Sequence, residues 1–331
     1  MTVYYKYMQK VIKIIFPNKP HLDPIAAAWL LLKYGENKYP GIAGAPLSVW
    51  KSGQNPSLGV LKEWEEQGIV SLDIEGGTFD HHSEKEKSVT LLVAEVLGVD
   101  KNSELQALLR YVQEDDLAGL HNNFGDLAGV IKCLYKQGRD ISNIIKVTLS
   151  ILDALNFKEE NWHIGAKREF EAKAKIIKIK RGNNKLKLIV IESDNVDVAN
   201  YAKQNHNAAA VIQKNSNGHV HIFTNAFHRL NIREIVAAIR LRELELNNKP
   251  IRKLAELRRP GKIIDVQNWF YHDALNAMMN GSAALAETPP TKISLDEIVG
   301  IVVYGLSNDY ISAGYQPEKE EYFRNIYNRI R

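Results

Sequence analysis

Short β-rich runs alternate with segments of helical periodicity in the N-terminal third of the chain, and this alternation constrains the fold more than any other feature. The β-rich runs are VIKIIF, LSVWKS and IVSLDIE, and the helical segments that follow them are DPIAAAWLLLKYG, LGVLKEWEEQG and SVTLLVAEVLG. An order of strand, helix and strand is typical of βαβ units, whose strands lie in a parallel sheet. We therefore expect a parallel sheet in the first part of the protein.

Helical patterns dominate the middle of the chain, and a second β-rich block follows in KLKLIVIES, AAAVIQKNSNGHVHIFTN and IVGIVVYGL. The chain has 331 residues, which is long enough for two domains. The sequence predicts an α/β protein with a parallel-sheet N-terminal domain over residues 1–125, a helical connector over 126–180 and a smaller mixed α/β C-terminal domain over 181–331.

The composition is that of an ordinary globular protein, with 45% hydrophobic and 25% charged residues. The single cysteine, Cys133, cannot form an internal disulfide, which favours a reducing, cytoplasmic location. No apolar run reaches the ~20 residues of a membrane span, and the N-terminus lacks a secretory signal, so we expect no membrane partner and a mature chain that begins here. A net charge of +4 suits an anionic substrate but is small for a dedicated nucleic-acid binder.

Acidic and histidine residues cluster at four places in the first domain, three of which follow β-rich runs. The clusters are His21 and Asp23 in PHLDPIAAA, Asp73 in SLDIE, Asp80, His81 and His82 in GGTFDHH, and Glu114, Asp115 and Asp116 in VQEDDLAG. Ligands of parallel α/β sheets collect at the carboxyl ends of the strands. We therefore expect these side chains to converge.

Carboxylate oxygens and imidazole nitrogens together suit a divalent ion such as Mn²⁺, and the lack of thiolates argues against a closed structural zinc site. A carboxylate shared by two ions can hold them ~3.5 to 4 Å apart against a phosphorus centre. Asp73 is the natural shared ligand, because it lies between the other clusters in the sequence and at a strand end.

The motifs HLD, the lone aspartate of SLDIE, FDHH and EDD resemble, in that order, the four motifs of the DHH phosphoesterase superfamily. The chain is most similar to the divergent melanocyte-proliferating-gene branch, whose first motif is followed by an Ala-rich helix. Members of that branch resemble RNA exonucleases in activity. The later segments RRPGK and WFYHDALNAMMNGS are similar to the Arg-Pro and His- and Gly-rich segments of the same branch.

The resemblance implies Mn²⁺ or Mg²⁺ as cofactor, with one or two ions in the site. One ion would be held by Asp23, Asp73, His81 and Asp116, with Asp115 as the alternative to Asp116. A second ion would use His21 and share Asp73. His82 would face the substrate phosphate, and Asp80 would orient the histidine pair through hydrogen bonds.

The same resemblance implies a metal-dependent phosphoester hydrolase with a DHH-like catalytic domain and a C-terminal substrate-binding domain. A 3′–5′ exonuclease or oligonucleotide phosphodiesterase that acts on RNA or short oligonucleotides is the expected activity. The candidate substrate-binding residues are His272, Arg258, Arg259, Asn280, Gly281 and Ser282.

One position departs from the family pattern, which has a further histidine four residues before His21, where this chain has Pro17. Three outcomes stay open: one ion, a weak second site completed by substrate or water, or a protein that binds nucleotide or metal without catalysis. A small-molecule phosphatase or nucleotide phosphodiesterase is a further alternative. The lysines of FEAKAKIIKIKRGNNKLKLIV predict either a solvated hairpin face or a strip that contacts phosphates.

Overall fold

The computed structural model describes residues 10–52, 54–82, 86–121, 123, 125–281 and 287–307. The chain divides into two compact units, Met1–His163 and Ile164–Arg331. Both units combine helices with a sheet, so the predicted α/β class is confirmed. Within the described residues, none of the helices combines the length and apolarity needed to cross a membrane.

The first unit contains a three-stranded parallel sheet, as predicted. Its strands are β1 (Lys13–Phe16), β2 (Leu47–Val49) and β3 (Ile69–Ser71), in the order β2-β1-β3. The helices are α1 (Leu22–Tyr34), α2 (Leu58–Glu66), α3 (Val89–Leu97), α4 (Gln106–Ala118), α5 (Leu127–Lys136) and α6 (Ile141–Glu160). Both neighbours pair with β1 in parallel, so the carboxyl ends of β1 and β3 lie side by side.

Helix α1 is the centre of the first unit's core. It is buried on nearly every side, which is typical of a helix that is apolar all round. Its alanines, Ala26, Ala27 and Ala28, are fully buried and take little space, so α3, α4 and α6 can all pack around it. The first residues of α1 are therefore fixed at the carboxyl end of the sheet.

The second unit is built on a seven-stranded sheet. Its strands are β4 (Lys175–Arg181), β5 (Asn184–Glu192), β6 (Ala210–Lys214), β7 (Val220–Thr224), β8 (Gly261–Ile263), β9 (Val266–His272) and β10 (Ala277–Asn280). The order is β4-β5-β6-β7-β10-β9-β8, and only β5 and β6 pair in parallel. The helices are α7 (Lys167–Lys173), α8 (Val198–Asn205), α9 (Arg233–Leu246), α10 (Leu254–Leu257) and α11 (Leu295–Ser307). Helices α9 and α11 cover one face of the sheet, and α7 and α8 pack on the other.

One detail of the predicted C-terminal domain was wrong, because the run IVGIVVYGL, predicted to be a strand, lies in helix α11. The second unit, predicted as the smaller domain, contains the larger of the two sheets. A capping box starts helix α11, because Ser294 Oγ accepts from the Glu297 N–H while the Glu297 carboxylate accepts from the Ser294 N–H. The β-branched composition concealed a helical spacing of the buried residues, which are Ile298, Ile301, Val302, Gly305 and Leu306.

The boundary between the units falls inside the segment predicted as a helical connector. Helices α5 and α6 of that segment belong to the first unit, while α7 and β4 belong to the second. Strand β4 begins at Lys175, so the helical pattern of AKAKIIK gives way to a strand at that residue.

Arg240 of α9 is fully buried and faces backbone oxygens in place of carboxylates. Its guanidinium donates to the carbonyls of Leu257, Arg259 and Gly261, which joins α9 to the chain entering β8. Burial lowers the pKa of the Arg240 guanidinium to about 10. A buried cation with only carbonyl partners is costly to disrupt, because each carbonyl loses its donor when the side chain is removed.

Arg240→Ala is expected to reduce the free energy of unfolding by about 3 to 5 kcal/mol, since it opens a cavity and leaves buried carbonyls unpaired. Urea denaturation measures this change. The matched control is Arg233→Ala on the same helix, which removes an ion pair whose two side chains are 50% and 41% exposed and should cost less than about 1 kcal/mol. Equal losses in the two variants would contradict a structural role for Arg240.

Candidate metal centre

The first unit gathers side chains from four separated segments at the carboxyl end of its parallel sheet. His21 is the N-cap residue of α1 and follows β1 by a short loop. Asp73 lies just beyond β3, and His81 follows the loop that returns from it. Asp116 projects from the last turn of α4.

Two carboxylates and two imidazoles alternate in a closed ring, which we call the Asp-His ring (His21, Asp116, His81 and Asp73). Asp116 Oδ1 lies 2.9 Å from Nε2 of His21, and Asp116 Oδ2 lies 3.7 Å from Nδ1 of His81. Asp73 Oδ1 lies 3.2 Å from Nε2 of His81, and Asp73 Oδ2 lies 3.7 Å from Nδ1 of His21. Each carboxylate therefore faces both imidazoles, one with each oxygen.

The backbone at Asp73 adopts a left-handed conformation, with φ of 55°. Residues other than glycine seldom adopt it, and such conformations often occur at functional sites. The Asp73 N–H donates to the carbonyl of Phe79 at 3.0 Å, and the Leu72 N–H donates to that of Ile15 at 3.0 Å. These bonds hold the Asp73 side chain at the sheet end against the local preference of the chain.

Asp80 organises the loop that carries the histidine pair. Its carboxylate accepts the N–H of Gly76 at 2.8 Å and the N–H of His82 at 2.9 Å, and it contacts Nδ1 of His82 at 2.6 Å. Gly76 has φ of 78°, which favours glycine there. The carboxylate thus fixes both the loop and the ring orientation of His82, while the His81 ring turns toward Asp73.

Asp23 lies in the first turn of α1 and is 1% exposed. Its carboxylate accepts the N–H groups of Val89 and Thr90 at 2.9 and 2.8 Å, at the N-terminus of α3. The helix dipole favours a negative charge at that position. The contact between Asp23 and α3 was not predicted from the sequence, although Ser88 is an N-cap signal there and does accept the Leu91 N–H.

Burial and mutual repulsion make full ionisation of this cluster unfavourable in the metal-free protein. Burial raises the pKa of Asp23, and the neighbouring Asp116 raises it further. Burial also raises the pKa of Asp73, although His21, His81 and His82 oppose the change. Burial would lower the pKa of His21, but its hydrogen bond to Asp116 and the nearby Asp73 raise it overall. A bound cation would relieve this excess of negative charge.

The donor set fits a divalent cation. Among the described residues, the groups with closely spaced donor atoms are Asp73, His81 and His82, and His21, Asp23 and Asp116, with all donor atoms of a group within 4.8 Å of one another. Oδ2 of Asp116 is buried and has no hydrogen-bond partner among the described residues, so this oxygen is suited to bind a metal ion. Oxygen and imidazole donors without thiolate suit Mn²⁺ or Mg²⁺ better than a soft metal.

This grouping differs from the one that the family resemblance implies. Asp23 lies with His21 and Asp116, whereas His82 lies with Asp73 and His81. Asp73 contacts imidazoles of both groups, through His81 and His21, as a shared ligand would.

Asp115, the alternative to Asp116, points elsewhere. Its side chain is almost fully buried and lies 3.4 Å from Nζ of Lys132 in α5. Adjacent residues of a helix project about 100° apart, so only one of the two aspartates can face the ring. In this structure that residue is Asp116.

The candidate phosphate-binding arginines lie in the second unit. Arg258 is paired with Glu234 of α9 at 2.6 Å, so its guanidinium is already engaged by a carboxylate. Arg259 is exposed, and its carbonyl accepts from Arg240. His272 ends β9, and its Nδ1 accepts the N–H of Leu275 at 3.2 Å.

The remaining candidates follow β10. Asn280 is fully buried, and its amide donates to the carbonyls of Asn268 and Pro289, which indicates a structural role. Gly281 lies against the ring of His219, where a Cβ atom would approach to 2.7 Å. Ser282 lies outside the described residues.

No protein-family model matches the chain, and no curated protein matches it either. A solved structure described as an uncharacterized protein from Helicobacter pylori G27 is 13% identical, with a TM-score of 0.22. The match covers 88% of this chain and 98% of the other. These comparisons assign no function.

Asp73→Asn and Asp116→Asn are each expected to weaken Mn²⁺ binding by at least tenfold, because each removes a charged donor from the Asp-His ring. Isothermal titration calorimetry measures the affinity. The control is Asp115→Asn, which changes the neighbouring carboxylate that faces Lys132 and should leave binding unchanged.

The metal-free stability of Asp73→Asn provides a second readout. The pKa of Asp73 is raised in the folded state, so its ionisation destabilises the fold at pH values above the pKa of the unfolded state. Replacing it with a neutral amide should therefore leave the melting temperature at pH 7 unchanged or raise it. Unchanged Mn²⁺ affinity in both ring variants, with folding intact, would contradict the assignment of the site.

Proposed function

We propose that the protein is a divalent-metal-dependent phosphoester hydrolase of the DHH phosphoesterase type, acting as a 3′–5′ exonuclease or oligonucleotide phosphodiesterase. The observation that carries the proposal is the Asp-His ring, in which Asp73 presents one oxygen to each of two imidazoles. The order of the four contributing motifs in the sequence supports the same proposal.

A divalent cation held by these residues would lower the pKa of a water and offset negative charge at a phosphorus centre. The protein's own residues would set the geometry. Asp73 would serve both donor groups, and Asp116 would supply its buried Oδ2, which has no hydrogen-bond partner within the described ranges. Asp23 accepts hydrogen bonds from the N-terminus of α3 and would thereby fix the position of the first turn of α1 relative to the ring.

His82 is suited to contact the substrate. Asp80 accepts a hydrogen bond at Nδ1 of His82, which leaves Nε2 of a half-exposed ring available to a ligand. The same hydrogen bond, against the effect of partial burial, raises the pKa of His82 and favours its protonated form. A protonated Nε2 could donate to a phosphate oxygen or to the leaving oxygen.

His82→Gln is expected to lower kcat of Mn²⁺-stimulated hydrolysis by about 100-fold at saturating metal, because glutamine cannot supply a proton. The limb of the pH–rate profile that reports the His82 pKa should disappear with it. The control is Glu75→Gln in the same loop, an exposed carboxylate bonded to Asn55 that should retain wild-type turnover. A full rate in His82→Gln with an unchanged pH profile would exclude its proposed role.

A catalytically silent nucleotide- or metal-binding protein is the second candidate, and Pro17 favours it. Pro17 follows the last residue of β1 and offers no side-chain donor where the family pattern has a histidine. Phosphate oxygens of the substrate can themselves complete the coordination of a hard cation, so the hydrolase does not require that histidine.

Pro17→His is expected to raise Mn²⁺-stimulated turnover, since it supplies the imidazole that the family pattern has at this position. Pro17→Ala separates the added imidazole from the loss of the proline's backbone restriction, and it should not raise turnover. Hydrolysis of a labelled oligonucleotide at limiting Mn²⁺ measures the effect. Metal binding without hydrolysis in wild type and both variants would favour the silent alternative.

A further inference from the structure

The hairpin of β4 and β5 extends beyond the rest of the sheet. Its strands pair from Lys175 with Val190 to Arg181 with Asn184, whereas β6 pairs only with Leu188–Glu192 of β5. The end of the hairpin is therefore a two-stranded ribbon, closed by a two-residue turn in which Gly182 has φ of 54°. We call this end, residues 178–187, the lysine arm.

Four lysines share one face of the lysine arm. Lys178 lies directly opposite Lys187, and Lys180 lies directly opposite Lys185. Residues two apart along a strand project to the same face, so the two pairs are neighbours, separated by about 6.6 Å along the strand. All four side chains are exposed.

Within the part of the chain that the structure describes, no carboxylate forms an ion pair with any of these four lysines. Lys187 donates to the carbonyl of His206. The chain has no acidic residue between Glu171 and Glu192. Like charges placed directly opposite each other on a sheet are destabilising. The free arm therefore carries a local repulsion that an anionic ligand would relieve.

Protection of a sheet edge explains only part of this pattern. Lysines on an edge strand hinder pairing with other chains, and β4 is such an edge. The second lysine of each pair, however, is on β5, which is already paired with β4. Directly opposed lysines on both strands concentrate charge in a way that edge protection does not require.

We propose that the lysine arm binds the phosphodiester backbone of a single-stranded nucleic acid. Two pairs of ammonium groups spaced along a two-stranded ribbon can contact successive phosphates of an extended strand, and the flexible lysine side chains can adjust to its backbone. Ile176 lies on the same face and is 50% exposed, which gives a sugar or base an apolar contact beside the charges. As a statement of substrate class, this inference rests on the proposed function.

Binding is tested without metal, so that its outcome does not depend on hydrolysis. The measurement is fluorescence anisotropy in EDTA with a labelled single-stranded RNA of roughly 12 nucleotides, which is longer than the few phosphates that four lysines can contact. Wild type is compared with an arm variant that carries Lys178→Gln, Lys180→Gln, Lys185→Gln and Lys187→Gln. The expected result is a loss of affinity of at least tenfold. The magnitude of the slope of log affinity against log salt concentration should fall by about 3, because each of the four lost phosphate contacts on a single strand contributes ~0.7 to it.

The control variant removes the same charge elsewhere in the second unit. It carries Lys249→Gln, Lys253→Gln, Lys262→Gln and Lys292→Gln, all at exposed positions. This variant should keep most of the affinity and the salt slope. Equal losses in the two variants would overturn the proposal, because they would reflect net charge alone.

Two further outcomes would also overturn it. Self-association of the arm variant in sedimentation velocity, with RNA affinity unchanged, would mean that the lysines only protect the edge. Equal affinity of the wild type for polyglutamate and for RNA would mean that the arm accepts any polyanion. Loss of RNA binding in the arm variant alone supports the proposal even if no hydrolysis is ever detected.

Discussion

The first unit brings two carboxylates and two imidazoles into mutual contact in the Asp-His ring, and the candidate metal centre depends on these contacts. The members of the ring come from four segments, and each carboxylate oxygen has one imidazole beside it. Asp23 adds a third buried carboxylate nearby, so burial and repulsion between the carboxylates disfavour full ionisation of the cluster when no cation is bound. Burial and the neighbouring Asp116 raise the pKa of Asp23 and of Asp73, and a bound cation would offset both effects.

The surrounding structure holds this unfavourable arrangement in place. The buried helix α1 fixes His21 and Asp23, and the N-terminus of α3 accepts the Asp23 carboxylate. Asp80 closes the loop that presents the histidine pair, and the strained backbone of Asp73 is held by bonds to neighbouring strands. The burial of these polar groups is energetically unfavourable, and the packing and hydrogen bonds around them compensate for it, as is common at functional sites.

The sequence predicted the parallel sheet and, through it, the meeting of His21 with Asp73, because the ends of adjacent parallel strands share an edge. It could not choose between Asp115 and Asp116, since only tertiary contacts decide which of two adjacent helical residues faces inward. It also misassigned α11, because an apolar, β-branched run fits a strand or a buried helix equally well. In the second unit, the resemblance in sequence could not reveal that the side-chain amide of Asn280 donates its hydrogen bonds to backbone carbonyls.

The most direct test of this account is a crystal structure of the protein grown with Mn²⁺, with anomalous diffraction recorded at the manganese absorption edge. The account predicts an anomalous peak inside the Asp-His ring, within coordination distance of Asp73 and of at least one ring imidazole. A fully ordered ring with no peak there, or manganese found only at unrelated surface carboxylates, would contradict it.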